Sequence, residues 1–189
     1  RLWRTFPHDV ANALAAAATA LGAGADPASV RRVLTGFSGM HHRVELVGER
    51  AGVPFYDDSK ATVPHAVAAA LAGFESVVLI AGGRNKGIDL SPLAADVGRV
   101  RAVVAIGEAA PDVAAAFAGR RPVVHAASMD DAVARAAALA TPGDAVLLSP
   151  GCASFDWYSS YGQRGDDFAR AVRALAPTGA ETARPARPT

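Results

Sequence analysis

Apolar and polar positions change rhythm along the chain, and the changes divide it. Residues 8–22, HDVANALAAAATALG, are dominated by alanine and leucine and end on Gly22, the composition and stop signal of a helix. DPASVRRVLTGF predicts a second, short helix with Asp26 as N-cap and Pro27 at the first helical position. From residue 41 the period shortens, and RVELVGERAGVPFYDDS reads as two strands joined by a turn around Ala51–Gly52. A regular alternation follows. A helix over 64–72 leads to strand SVVLIAGG, a helix near 91–98 to AVVAIG, and a helix near 109–118 to PVVHAA. Helix 129–140, strand DAVLLSP and a last helix near 162–175 complete it. The strand segments are short, continuous and β-branched, as in strands covered on both faces. Strand and helix alternating at this spacing predict an α/β fold with a doubly wound, mostly parallel sheet. Residues 1–40 form a helical piece too small to stand alone as a domain, and 41–176 hold the sheet. The tail PTGAETARPARPT, 177–189, has no apolar period and is expected to be disordered.

Composition narrows the function classes. The 189 residues are 51% apolar and 20% charged with a formal net charge of +1, without the basic excess of a nucleic-acid binder. No apolar run approaches the roughly 18–20 residues of a membrane helix. The single cysteine, Cys152, excludes an internal disulfide and fits a reducing compartment. The sequence opens on Arg1 with no signal-peptide pattern, so a piece that begins inside a longer protein is expected. Seventeen of the 19 basic residues are arginine, and both lysines, Lys60 and Lys86, fall in small-residue loops at predicted strand ends.

Ligands of an open parallel sheet bind outside the carboxyl ends of its strands. Three segments leave strands in that direction: DDSKAT, GGRNKG and SPGCASFD. In the first, Ser59, Thr62 and the N–H groups opening the next helix can donate to an anion, Lys60 adds a positive charge, and Asp58 can accept from a ribose or orient a cation. Equally, Thr62 can be only the cap of that helix, with Pro64 in its first turn and Lys60 solvated. Spacing alone does not choose between these. AGGRNKG lets a backbone approach a ligand closely, but is neither GxGxxG nor a Walker A sequence. In the third segment Ser149 and Ser154 can receive a carboxylate, Phe155, Trp157 and Tyr161 can wall it from water, and Arg164 falls just inside the last helix. Cys152 lacks the neighbours of a nucleophile. His41 and His42 are no metal pair, because adjacent strand residues face opposite ways and no acid falls at ligand spacing. The residues alone describe a cationic crevice for carboxylate or phosphate groups.

In combination, DDSKAT before a helix, GG and a lysine after the next strand, and SPGCASFDWYSSYGQRG before the last helix resemble the Mur ligases over about residues 8–175. DSKAT resembles the branch of that family that adds D-glutamate to UDP-N-acetylmuramoyl-L-alanine. The resemblance implies that 1–40 are the helical end of a central ATP-binding domain and that 41–176 are a Rossmann-like C-terminal domain that brings the amino acid. It implies a cytoplasmic, ATP- and Mg2+-dependent enzyme of peptidoglycan precursor synthesis that works through an acyl phosphate. No GK[ST] P-loop occurs in this sequence, so the chain alone is expected not to turn over, with the Mg2+ ligands in the missing domain. Carried over by position, Lys60, Thr62, Lys86, Ser154, Phe155 and Tyr161 form the D-glutamate pocket, with Lys60 and Lys86 also facing the developing charge. Asn12, His42, Arg43 and Asp58 match positions that meet the nucleotide. No metal ligand, nucleic acid or membrane is implied. Two positions depart from the pattern: Asp9 and Val63 each stand where the family has asparagine. Competing readings are a sibling ligase that adds L-glutamate or another amino acid, a folylpolyglutamate synthase-like protein, and a non-catalytic Rossmann-like binding module.

Overall fold

The computed structural model describes residues 2–175, so the tail expected to be disordered lies outside the described residues. The chain divides into two compact units between His41 and His42. The first holds α1 (Pro7–Gly22) and α2 (Pro27–Gly36). Asp26 caps α2 as its sequence predicts, its carboxylate accepting from the Ser29 N–H at 2.9 Å. Neither helix buries a residue fully.

The second unit is the predicted α/β sheet. It runs β1 (Glu45–Arg50), β2 (Val53–Asp57), α3 (Pro64–Leu71), β3 (Val77–Gly82) and β4 (Val100–Ile106). Then come α4 (Ala110–Phe117), β5 (Val123–Ala126), α5 (Met129–Leu139), β6 (Ala145–Gly151) and α6 (Tyr161–Ala174). Ala51 and Gly52 both have positive φ, 50° and 76°, the backbone of a tight two-residue hairpin turn between β1 and β2. One element differs from expectation. Residues 91–98 form two 3-10 turns, Ser91–Ala94 and Val97–Arg99, in place of an α-helix. Asp96 leaves helical backbone angles between them and pairs with Arg99 at 2.9 Å, and Gly98 does little to hold a helix.

The strands are ordered β1-β2-β6-β3-β4-β5, with only β1 antiparallel to its neighbour. Side chains of alternating parity fill two cores. Phe55, Ile80, Ile106 and Leu148 meet Met129 and Val133 of α5 and Phe168 and Val172 of α6 on one face. The opposite face is covered by α3, α4 and the 91–94 turn, bringing the buried Val67, Leu71, Leu93 and Phe117. β3 is buried along its whole length, which explains its unbroken apolar run.

The order matters more than the inventory. The connection through α5 returns the chain to insert β6 between β2 and β3. Three loops distant in sequence, after β2, β3 and β6, thereby become neighbours at one edge of the sheet. Among the described residues no helix is long and apolar enough to cross a membrane.

Candidate functional site

The β2 loop begins with two acids that the fold treats differently. Asp57, buried, accepts the Ser59 N–H at 2.8 Å and lies 2.7 Å from Nδ1 of His42. Burial raises its pKa, opposed by those two contacts. Asp58 is only 6% exposed and accepts from the Ser149 hydroxyl at 2.7 Å. Burial pushes its carboxyl up to about 7, with nearby Asp57 adding to the rise while Ser149, the Val44 N–H and Arg43 oppose it. Ser149 is therefore already committed, and does not offer the free hydroxyl that its sequence position allowed.

Lys60 is partly exposed, with Nζ 5.4 Å from the centroid of the Tyr161 ring and its own N–H donating to the His42 carbonyl at 3.2 Å. The His42 and Tyr161 rings meet edge to face at 6.0 Å. Thr62 is half-buried and is not the cap of α3: Val63 holds that position, with no side-chain hydrogen bond. The simple capping reading of Thr62 is thereby removed.

The β3 loop shows why two glycines stand together. Gly82 and Gly83 both have φ of 125°, and a Cβ would overlap the carbonyl of Ile106 at Gly82 and that of Ala153 at Gly83. The protein's own backbone, ahead of any ligand, demands them. Arg84 and Ala153 exchange backbone hydrogen bonds of 2.8 and 3.1 Å, tying this loop to the β6 loop. Lys86 is exposed, and its charge acts on the Cys152 thiol.

In the β6 loop, the Gly151 N–H donates to the Ala61 carbonyl at 2.9 Å, joining it to the β2 loop. Ser154 is buried, while Phe155, Trp157 and Tyr161 stay 59%, 36% and 39% exposed. Burial pushes the Cys152 thiol up to about 11, which suits an inert packing residue.

Of the residues matched to the nucleotide, Arg43 is exposed and His42 and Asp58 sit as described. Asn12 is exposed on α1, in the other unit. Beside it in sequence, Asp9 is held by Arg4 through contacts of 2.6 and 2.9 Å. Burial raising its pKa is outweighed by that pair, which keeps it low and its charge compensated.

Two features escape the sequence argument. His41 and His42 lie in a turn, not a strand, with His42 at φ 60° and Val44 at φ 48°. That turn brings ligand atoms of His42, Glu45 and Asp57 within 4.8 Å of one another, so the objection that no acid is near fails. The three already bond among themselves: Glu45 accepts the His42 N–H at 3.0 Å, and Asp57 contacts the ring. A Cβ on Gly165 of α6 would overlap both His42 and Asp57. The other feature is Arg164, whose side chain is completely buried and bonds to Ser59 and Cys152. The sequence places Arg164 just inside the last helix, but no local pattern marks its partners, which lie far away in sequence or on an adjoining loop.

The family described as Mur ligase, glutamate ligase domain, matches residues 42–152, beginning where the second unit begins. UDP-N-acetylmuramoylalanine–D-glutamate ligase of Frankia casuarinae is 52% identical over 174 residues, covering 90% of this chain and 37% of that protein. The chain thus spans little more than a third of that curated relative. Among solved structures, a pseudomurein peptide ligase type C from Methanothermus fervidus superposes with TM-score 0.72 at 16% identity, covering 93% of this chain and 37% of the other. A folylpolyglutamate synthase of Mycobacterium tuberculosis, solved with ADP and AMPPCP, does so with TM-score 0.58 at 19% identity, covering 84% and 38%. At such identities these two share the fold.

Proposed function

The chain belongs to the Mur ligase family through its glutamate ligase domain, and from that membership we propose that it is the amino-acid-presenting part of an ATP-dependent ligase that adds D-glutamate to UDP-N-acetylmuramoyl-L-alanine. One observation carries the reading. The DSKAT, GGRNK and CASF loops leave three adjacent strands at one sheet edge and are hydrogen-bonded to each other, with both lysines of the chain on them.

In the proposed reaction, the L-alanyl carboxylate takes the γ-phosphoryl group of ATP and releases ADP. The amine of D-glutamate then attacks the acyl carbon, loses a proton, and phosphate leaves as the amide forms. Lys60 and Lys86 hold the two carboxylates of glutamate so that its amine faces the acyl phosphate, which is positioning and charge stabilisation. Thr62 and Ser154 fix the amino-acid end. Phe155 and Tyr161, exposed here, shield the bond being made from water when the site closes. By family resemblance, Asn12, His42, Arg43 and Asp58 are the residues proposed to meet the nucleotide, of which Arg43 and Asn12 are exposed and Asp58 is buried against Ser149. Residues 1–40 are the end of the nucleotide-binding domain under this reading, and turnover needs a P-loop, which does not occur in this sequence. Among the described residues the one cluster of three possible metal ligands, His42, Glu45 and Asp57, is engaged in its own hydrogen bonds, and Mg2+ would be held by residues outside this sequence.

The test is ADP release by the full-length protein supplied with UDP-N-acetylmuramoyl-L-alanine, ATP, and D- or L-glutamate in parallel. Turnover with D-glutamate is expected. Preference for L-glutamate, or no turnover with either, overturns the reading. In the same assay Lys86→Ala raises the D-glutamate KM by about tenfold or more, the scale of one lost charge-assisted contact, and leaves the ATP KM nearly unchanged. Equal effects on both remove Lys86 from the glutamate site.

A further inference from the structure

Arg164 is the largest fully buried side chain of the described residues, and it sits in the first turn of α6 with 1% exposure. Its bonds run to three neutral oxygens. Nε donates to the Ser59 hydroxyl at 2.9 Å and Nη2 to the Ser59 carbonyl at 2.9 Å. Nη1 and Nη2 both donate to the Cys152 carbonyl, at 3.2 and 3.1 Å. The Ser59 hydroxyl in turn donates to the Tyr161 carbonyl at 2.7 Å. On the remaining side, a Cβ built on Gly83 would come within 3.0 Å of Nη1. One guanidinium therefore bonds the β2 and β6 loops, lies beside the Gly82–Gly83 turn, and is linked through Ser59 to the start of α6.

These contacts lie one residue from Lys60, two from Ser154 and three from Lys86. We propose that Arg164 is the positioning residue of the amino-acid pocket: it sets the mutual placement of the three loops and so controls affinity for the dicarboxylate amino acid without touching it. This rests on the reading of the edge as a glutamate pocket.

The chemistry favours arginine for this task. Burying a charge costs several kcal/mol unless hydrogen bonds repay it, and a leucine or methionine would fill the volume without that cost. Neither would satisfy the Ser59 and Cys152 carbonyls or hold their loops in register. Lysine carries three donors on one atom and cannot span acceptors on separate loops as a planar fork does. Burial draws the guanidinium pKa down to about 10, with Asp156 and Asp57 among the charges that oppose the fall, so it stays protonated at neutral pH. The pocket is thus underlain by a positive charge, which suits a doubly anionic ligand.

The experiment uses the full-length protein and Arg164→Lys, with D-glutamate and ATP KM, kcat and thermal unfolding measured together. The D-glutamate KM is expected to rise about tenfold, the scale of lost hydrogen bonds to a charged group, while the ATP KM stays within about twofold. An unchanged glutamate KM overturns the proposal, as does an equal rise in both KM values, which marks a general structural role. If Arg164→Lys does not fold, Ser59→Ala removes one acceptor and leaves the guanidinium in place. It is expected to raise the glutamate KM selectively by a few-fold, and no selective rise overturns the proposal. A wild-type protein that ligates no glutamate overturns the pocket reading and this proposal with it. A wild type that ligates glutamate beside an unaltered Arg164→Lys KM overturns this proposal alone.

Discussion

Asp58 shows how far a side chain can depart from its sequence description. From spacing it is a strand-end acid free to meet a ribose; in the fold it is buried against Ser149, with Asp57 next to it. Burial pushes its carboxyl up to about 7 in the fold, from an ordinary value of 3.8. Between those two pH values the folded protein holds a proton that the unfolded chain has released, so each step up in pH through that window lowers stability. Asp58→Asn keeps an acceptor for the Ser149 hydroxyl and removes the titration. The variant is expected to gain thermal stability relative to wild type between pH 5 and pH 8. Parallel melting curves at both pH values check it, and an offset that does not change with pH would show that Asp58 ionises freely. The glycines carry a similar lesson. Gly82, Gly83 and Gly165 are each required by a neighbouring protein atom, although a sequence reader meets the first two as a ligand-approach motif.

Among the elements, α3 starts without a side-chain cap, as α1 and α4 do. Val63 occupies its N-cap with extended backbone and no side-chain acceptor, leaving the first N–H groups of the helix to other partners. Val63 is 43% exposed, so replacing it removes little buried apolar surface. Val63→Asn is expected to stabilise the protein by about 1 kcal/mol, read as a higher melting temperature, and a neutral or negative change would mean the cap is already supplied. This same stretch marks the limit of what sequence reveals. Helices and strands were legible because their signals are local: Asp26 before Pro27, the Ala51–Gly52 turn, and the apolar run of β3. The expected helix over 91–98 failed for an equally local reason, the break at Asp96. Long-range facts had no such signal. The insertion of β6 between β2 and β3, the meeting of His42, Glu45 and Asp57, and the reach of Arg164 from α6 to Ser59 all depend on sheet order. The lysine and hydroxyl positions of the pocket were legible through family resemblance, and so was Arg164 as a helix-start residue, while its bonds to Ser59 and Cys152 were not.

The two units of the chain differ in what they bury, and this decides how each behaves alone. Residues 42–175 carry two apolar layers, with strand interiors wholly excluded from water. The helices of the first unit bury no residue, and Leu14, Leu21, Val33, Phe37 and Met40 remain between 44% and 66% exposed. Short helices without a packed face are marginal in water, since nucleation and backbone ordering outweigh the hydrogen bonds gained. A protein of residues 42–175 is therefore expected to unfold in one cooperative thermal transition, within a few degrees of the 189-residue chain. A peptide of residues 1–41 should show only a broad, non-cooperative loss of helical circular dichroism. The proposed division of labour falls on the same boundary: Lys60, Thr62, Lys86, Ser154, Phe155 and Tyr161 lie in the second unit, and Asn12 lies in the first. If the second unit is autonomous, the geometry that ties the three loops through Arg164 and the Arg84–Ala153 backbone pair needs nothing from α1 or α2. Amide exchange in residues 58–62, 83–87 and 151–156 should then match between the 42–175 protein and the longer chain. Faster exchange in those loops alone would show that the first unit helps to build the pocket.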